Sequence, residues 1–304
     1  MGSKDKHIED DAQIQPHKIL GGGGNFLGLM GSGPADDVLK GNIYYVNKDG
    51  GKDTNDGLSP RYPFLTIAKA ISVVNARISW SASPWANHDS IVIYPGEYAE
   101  NLTSLPYGAT VIGLGHDVRD AQCGVKIKPA SGSPVDVGAC INSAFYNIGF
   151  ESVDTSAAFD AAICNNVLFS GCFFTGAPEA TTAVYAFITS DATKVTFRDC
   201  WFCNADNGMY FKYTDGGDKA AYILVEDCLI TGCSAAGIYT ATSLVGPHFI
   251  VRHNTIAGAG QTLAIGIDDN AGLIDESFNA IEATTAVDGV RSSNGSYGNG
   301  SLLT

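Results

Sequence analysis

Val195-Thr196-Phe197-Arg198-Asp199-Cys200-Trp201-Phe202 is one of four stretches built on a single template; the others run over 167–174, 223–230 and 249–256. In each, the first, third, sixth and eighth positions are apolar or small. The sixth position falls at Cys172, Cys200, Cys228 and Asn254, and a weaker copy over 274–281 puts Asn279 there, in steps of 28, 28, 26 and 25 residues. Phe145 to Phe150 reads as an earlier copy. Short β-branched and aromatic runs recurring at that period point to a solenoid with one coil per repeat. The consensus of leucine-rich repeats is absent.

The template also states which side chains stack. Parallel neighbours lie ~4.8 Å apart, so each template position becomes a ladder along the solenoid. Val167, Val195, Ile223 and Phe249 form one inward column, and Cys172, Cys200, Cys228 and Asn254 form another. Ser170, Arg198, Glu226 and Arg252 form an outward column. Its alternating signs predict an ion-pair ladder worth ~0.2–1 kcal/mol per pair. Two further outward columns are largely apolar: Leu168, Thr196, Leu224, Ile250, and Phe173, Trp201, Leu229, Thr255. An aligned apolar stripe predicts a cover, either a loop, the N-terminal segment or another subunit. Phe173, Trp201, Leu229, Leu224 and Ile250 are therefore the partner-binding candidates on the solenoid.

Composition agrees with a solenoid. The chain has 304 residues, 36 of them Gly, with 16% charged residues and 45% hydrophobic ones. Disordered chains are charge-rich and apolar-poor, and helical bundles do not tolerate that much Gly. The formal net charge of -14 argues against a phosphate-backbone partner. No apolar run is long enough to cross a membrane, and residues 1–18 lack the apolar core of an export signal. The expectation is synthesis in a host cytoplasm without export by that route. The eight cysteines are then expected to be reduced. Cys200 and Cys203 form a C-x-x-C without a second pair or a His partner, so buried small residues are the reading preferred over zinc or redox chemistry.

Residues 1–41 differ from the rest, with acid clusters, the run Gly21-Gly22-Gly23-Gly24 and a short apolar piece containing Phe26, Leu27, Leu29 and Met30. This segment is read as a docking arm whose apolar piece contacts a partner. The β-helix domain is assigned to 42–304, with the N-terminal cap and first coils over 42–115 and the repeats over 140–290. Pro63 to Ser79 predicts a helix, with Phe64, Ile67, Ile71, Val74 and Ile78 on one face. Asp49, Asp53, Asn55 and Asp56 offer oxygens that calcium would accept. The loop is one residue short of the calcium-loop pattern, however, and turn capping accounts for the same residues. Neither a resident metal nor a cofactor is expected.

Tyr44-Tyr45-Val46, Pro63-Phe64-Leu65-Thr66-Ile67, Ile91-x-Ile93-x-Pro95-Gly96-x-Tyr98-x-Glu100 and Val111-Ile112-Gly113 resemble the opening of right-handed parallel β-helix proteins of the pectate-lyase-like superfamily. The resemblance covers roughly residues 42–290. It implies an all-β, single-stranded parallel β-helix with an N-terminal helix capping the open first coil. It implies little about activity, because the fold hosts lyases, hydrolases, esterases, tailspikes and inert structural proteins.

Glycoside hydrolysis needs two carboxylates. The candidates are Asp268 with Asp269, Asp275 with Glu276, and Asp215 with Asp218. The Gly-His-Gly and Arg-x-Lys motifs of polygalacturonase-like chains are missing, as is the Gln-Asp motif of pectin methylesterases. The six His residues share no motif spacing. The expected function is accordingly a non-enzymatic structural protein of a virus particle, a capsid decoration or a head- or tail-attached spike. It is expected to be a homotrimer, attached to other virion proteins through the arm. The alternative is a tailspike or carbohydrate-active β-helix that binds or cleaves a surface polysaccharide.

Overall fold

The computed structural model describes residues 41–78, 88–115, 117, 124–176, 185–212, 222–241, 249–258, 262–270, 274–289, 292–294 and 297–298. The chain divides into two units, Met1–Lys40 and Gly41–Thr304. The second is a right-handed parallel β-helix. The first contains Phe26, Leu27, Leu29 and Met30 and lies outside the described residues.

Every strand pairing described is parallel, and the strands form three ladders, termed faces A, B and C. Face A runs from Ile43–Val46 through Ser90–Ile93, Thr110–Gly113 and Ala144–Tyr146 to 167–170, 195–198, Ile223–Glu226 and Phe249–Arg252, and on to Ile274–Ser277. Face B starts at Gly96–Tyr98 and includes Phe173–Thr175, 201–203 and 229–231. Face C joins Val135–Ile141, 159–165, 185–193, 207–211 and 236–240 to Ile265–Asp269 and Thr285–Asp288.

Left-handed residues make the corners. Between faces A and B these are Asn147, Gly171, Asp199, Asp227, His253 and Phe278, with φ between 51° and 62°. The residue after each from Gly171 onward is the ladder position read from sequence. Cys172, Cys200, Cys228, Asn254 and Asn279 are all buried there. Between faces C and A the corners are Asn142, Asn166, Lys194 and Tyr222, with φ of 52°, 54°, 54° and 68°. Left-handed backbone costs a non-glycine residue roughly 1–2 kcal/mol, less for Asn and Asp, so the solenoid must over-determine it elsewhere.

That compensation sits inside the coils, where three aromatic stacks meet. Face A contributes Phe145, Phe169 and Phe197, with centroids 5.2 and 5.1 Å apart. Face B contributes Phe150, Phe174 and Phe202, at 5.2 and 4.8 Å. Face C contributes Phe159 and Phe187 at 5.3 Å. Rings of different stacks meet edge to face, as at Phe169–Phe174 and Phe197–Phe202. Such pairs add ~0.5–1.5 kcal/mol beyond area burial.

The helix is shorter than the sequence predicts, Ile67–Ala76 instead of 63–79. Phe64 bridges to Val46 and Ile78 lies beyond the last turn, so neither joins the helical face. Thr66 is the N-cap, accepting from the Lys69 N–H. Asp53 in turn accepts from the Leu65 and Thr66 N–H groups and the Thr66 hydroxyl. Asn47 and Asp56 likewise cap turns in the loop considered for calcium. Ile67, Ala70, Ile71 and Val74 are buried, and the helix packs on the first two strands of face A. Glu100 accepts from the Ile67 and Ala68 N–H groups at 2.9 and 2.8 Å. The Pro95-to-Glu100 motif thus ties the helix N-terminus to the start of face B.

Candidate functional site

Strand alternation on face C turns one residue per coil outward. In register these are Asp136, Asp160, Ile188, Tyr210, Tyr239, Asp268 and Asp288. Two tyrosines therefore stand between an acid pair at each end. Tyr185 joins them: its ring stacks on Tyr210 at 4.8 Å, and Tyr210 meets Tyr239 at 4.8 Å. All three side chains are half-buried. Burial raises the Tyr185 and Tyr210 phenols, and their tyrosine neighbours add to it. Asp206 accepts from the Ser234 hydroxyl beside them at 2.8 Å.

Carboxylates at the two ends behave alike. Burial raises Asp268, and the charges of Asp288 and Asp269 push the same way against a hydrogen bond from Asn270. Burial and Asp136 raise Asp160, with Lys212 opposing. Because the rings pack on one another, the stack offers apolar ring edges and phenol hydroxyls, flanked by carboxylate acceptors, to a ligand with apolar C–H patches and many hydroxyls.

A concavity lies on face A, with a volume of about 700 Å³. Its floor is the outward column Thr110, Ala144, Leu168, Thr196, Leu224 and Ile250. One wall is the row of left-handed corners, in which Asn166 donates to Asn142 at 2.8 Å and Tyr222 is 57% exposed. The other wall carries Arg198 and Arg252. Glu226 lies between these two arginines, 3.0 Å from Arg198 Nη2 and 2.6 Å from Arg252 Nη2. The ion-pair ladder predicted from sequence is therefore present, with the Glu226 side chain only 11% exposed. Burial alone would raise Glu226, but the two guanidinium groups prevail and hold it below the usual carboxylate range.

The sequence candidates divide between faces. Leu224 and Ile250 are half-buried in the face A groove. Phe173, Trp201 and Leu229 align on face B as predicted. Exposure of that stripe is less than expected, since Phe173 is only 8% accessible. The Trp201 ring covers it at 5.3 Å, and Trp201 Nε1 is held by the Thr231 hydroxyl at 2.8 Å.

Acid pairs chosen by adjacency in sequence are split by the strand pleat. Asp269 is 2% exposed and accepts from the Thr240 hydroxyl and the Ile274 N–H. Glu276 is buried and accepts from Asn279 Nδ2. Asp215 and Asp218 lie outside the described residues. The true neighbour of Asp268 is Asp288, one coil on.

The tyrosine column was missed in the sequence, yet a signal for it exists. Gly208, Gly237 and Gly266 recur at steps of 29 and stack between the residue pairs of face C. A Cβ on Gly237 would lie 2.5 Å from Ile256 Cγ2 and 2.6 Å from the Gly266 carbonyl oxygen, so only glycine fits. Aligning on these glycines brings Tyr210, Tyr239 and Asp268 into one column.

The family described as right handed beta helix region matches residues 111–285, more than half of the chain. No curated protein matches the chain in sequence. Among solved structures, pectin methylesterase PemA from Erwinia chrysanthemi is similar at a TM-score of 0.53 and 12% identity, over 86% of this chain and 90% of that one. The Dettilon tailspike protein gives a TM-score of 0.40 at 16% identity, over 80% of this chain and 50% of that one. At these identities the likeness is one of fold.

Proposed function

The chain belongs to the right-handed β-helix family, and on that premise we propose that it is a carbohydrate-binding protein whose face C holds a glycan chain. One observation carries the reading: Tyr185, Tyr210 and Tyr239 stack on the outer surface in line with Asp268 and Asp288. The rungs repeat every ~4.8 Å, so a linear ligand lying along the axis meets one side chain of this column at each coil, two tyrosines in succession and then two carboxylates. Asp136, Asp160, Asp206, Asp268 and Asp288 give the face a negative field. That favours neutral or amino-bearing sugars and opposes polyuronates.

The test is direct binding of neutral, amino-bearing and uronate polysaccharides to the wild type and to Tyr210→Ala with Tyr239→Ala. Removing both rings is expected to weaken binding about tenfold or more, with the melting transition retained. If no neutral or amino-bearing glycan binds, or the double variant binds as well as the wild type, the reading is lost.

Hydrolysis is the second reading, favoured by the register of Asp268 with Asp288. Retaining enzymes hold two carboxyl groups ~5–5.5 Å apart, a separation within reach of two side chains on adjacent rungs ~4.8 Å apart. A carboxyl raised by burial and a neighbouring charge, as Asp268 is, suits a general acid. The setting proposed for the binding protein is a virus particle, with residues 1–41 as its tether and a homotrimer presenting the faces.

A further inference from the structure

Face A carries a different chemistry from face C. The chain has 32 acidic and 18 basic residues, yet the charged side chains among the described lining of its groove are Lys194, Arg198 and Arg252, with no carboxylate. Glu226 sits between the two arginines in their own column, enclosed by their guanidinium groups, and is not part of the described lining. It neutralises one charge and leaves each guanidinium with further donors, since five N–H groups are available on each. The floor has a chemistry of its own. Leu168, Leu224 and Ile250 are aliphatic, and Ala144 and Thr196 between them are small, so the column is a shallow apolar trough. From Thr110 to Ile250 it spans five in-register steps, or ~24 Å.

We propose that this groove binds an extended peptide segment of a partner protein carrying both aliphatic and carboxylate side chains. The trough accommodates roughly seven residues at ~3.3 Å each. Aliphatic side chains lie on Leu168, Leu224 and Ile250, while carboxylates reach Lys194, Arg198 and Arg252 on the walls. The asparagine corners Asn142 and Asn166 offer donors and acceptors to the peptide backbone. An aliphatic floor distinguishes this occupant from a sugar chain, for which aromatic rings are the better platform, as on face C. In a chain with a formal net charge of -14, a cationic groove also gives a locally attractive field for an acidic segment.

Fluorescein-labelled octapeptides provide the test: alternating Glu and Leu, alternating Lys and Leu, and alternating Glu and Ser. Only the Glu/Leu peptide is expected to bind well, and its affinity should fall as salt rises. Lys194→Glu and Leu224→Asn should each weaken it about fivefold or more, without lowering the melting temperature. Lys194 is exposed, so that variant is not expected to disturb folding. Tyr210→Ala should leave the affinity unchanged, which separates this site from face C. Equal binding of the Glu and Lys peptides, equal binding of the Ser peptide, or indifference to both groove variants would overturn the assignment. So would direct binding of fluorescein-labelled polygalacturonate with no peptide binding, or light scattering in which Leu224→Asn dissolves a self-associated species. The first of these would make the groove a polyanionic-sugar site, and the second a contact between copies.

Discussion

Asn279 Oδ1 receives two hydrogen bonds from the coil before it, from the Asn254 side-chain amide at 3.0 Å and from the Asn254 backbone N–H at 2.9 Å. Asn254 repeats the arrangement one coil earlier, accepting from the Cys228 N–H at 2.8 Å and donating to the Val225 carbonyl at 3.0 Å. Each amide thus satisfies a backbone group that the corner would otherwise leave buried and unpaired. Asn254→Leu conserves volume but strands the Cys228 N–H and the Val225 carbonyl. A loss of about 2–4 kcal/mol is expected, at ~1–3 kcal/mol per orphaned group, read as a lower urea midpoint. A shift near zero would mean that water or relaxation satisfies those groups.

Cysteines occupy the same ladder where no amide is present. Cys172, Cys200 and Cys228 are buried and unpaired by disulfides, and their thiols point to carbonyls such as Phe145, Arg198 and Glu226. Burial pushes the Cys200 thiol well up. In native protein at pH 8, peptide mapping after maleimide treatment should find these three unmodified, and full modification should need denaturant. Rapid labelling of any of them under native conditions would contradict the stacked arrangement.

Glu226 makes stability depend on pH in one direction. Its folded pKa is depressed by Arg198 and Arg252, so its contribution is complete above the ordinary glutamate value of 4.5. That contribution is lost as pH falls through the lowered folded value. Glu226→Gln should cost about 1–2 kcal/mol at pH 7 and progressively less below pH ~4. A cost that does not change between those conditions would show that the ion pairs are not its source.

Asp268 and Asp288 separate binding from turnover. On the binding reading, incubation with a bound polysaccharide releases no oligosaccharide, and Asp268→Asn with Asp288→Asn changes affinity alone. Reducing ends that accumulate with the wild type and vanish with the double variant would establish the hydrolase. Asp269→Ala is not a test of chemistry, because it removes the hydrogen bonds that Asp269 accepts from the Ile274 N–H and the Thr240 hydroxyl. A stability loss of about 1–3 kcal/mol is expected from it.

Assembly is tested on face B and on the arm separately. Light scattering should give a trimer for the wild type and a smaller species for Trp201→Asp. A chain starting at Gly41 should still trimerise but lose attachment to the virus particle. A monomeric wild type defeats the first claim, and full particle attachment by the shortened chain defeats the second.

Architecture was legible because a coil is short and repeats. Template positions of the Val195–Phe202 unit needed only the ~4.8 Å spacing of parallel strands to become columns. Inward burial, the cysteine and asparagine ladder and the Arg198–Glu226–Arg252 stack all follow from that one rule. Exposure did not follow from it. Phe173 points outward yet is covered by the Trp201 ring one coil on, which is tied to Thr231, so how far the neighbour's ring leans is set by a side-chain hydrogen bond and not by register.

Within this chain, sequence alone determined which residues share a column wherever the repeat is regular, since hydrophobic period and register are local properties. Tertiary structure decided what each column meets. Asp268 and Asp269 are adjacent in the chain but lie on opposite sides of the strand, because successive side chains alternate across the pleat. Asp288 reaches Asp268 only because the coil between them closes in register, and loop lengths that vary between coils hide that partner from any fixed spacing. The same closure brings Tyr185, Tyr210 and Tyr239 into one stack and sets the groove of Leu224 and Ile250 between its two walls.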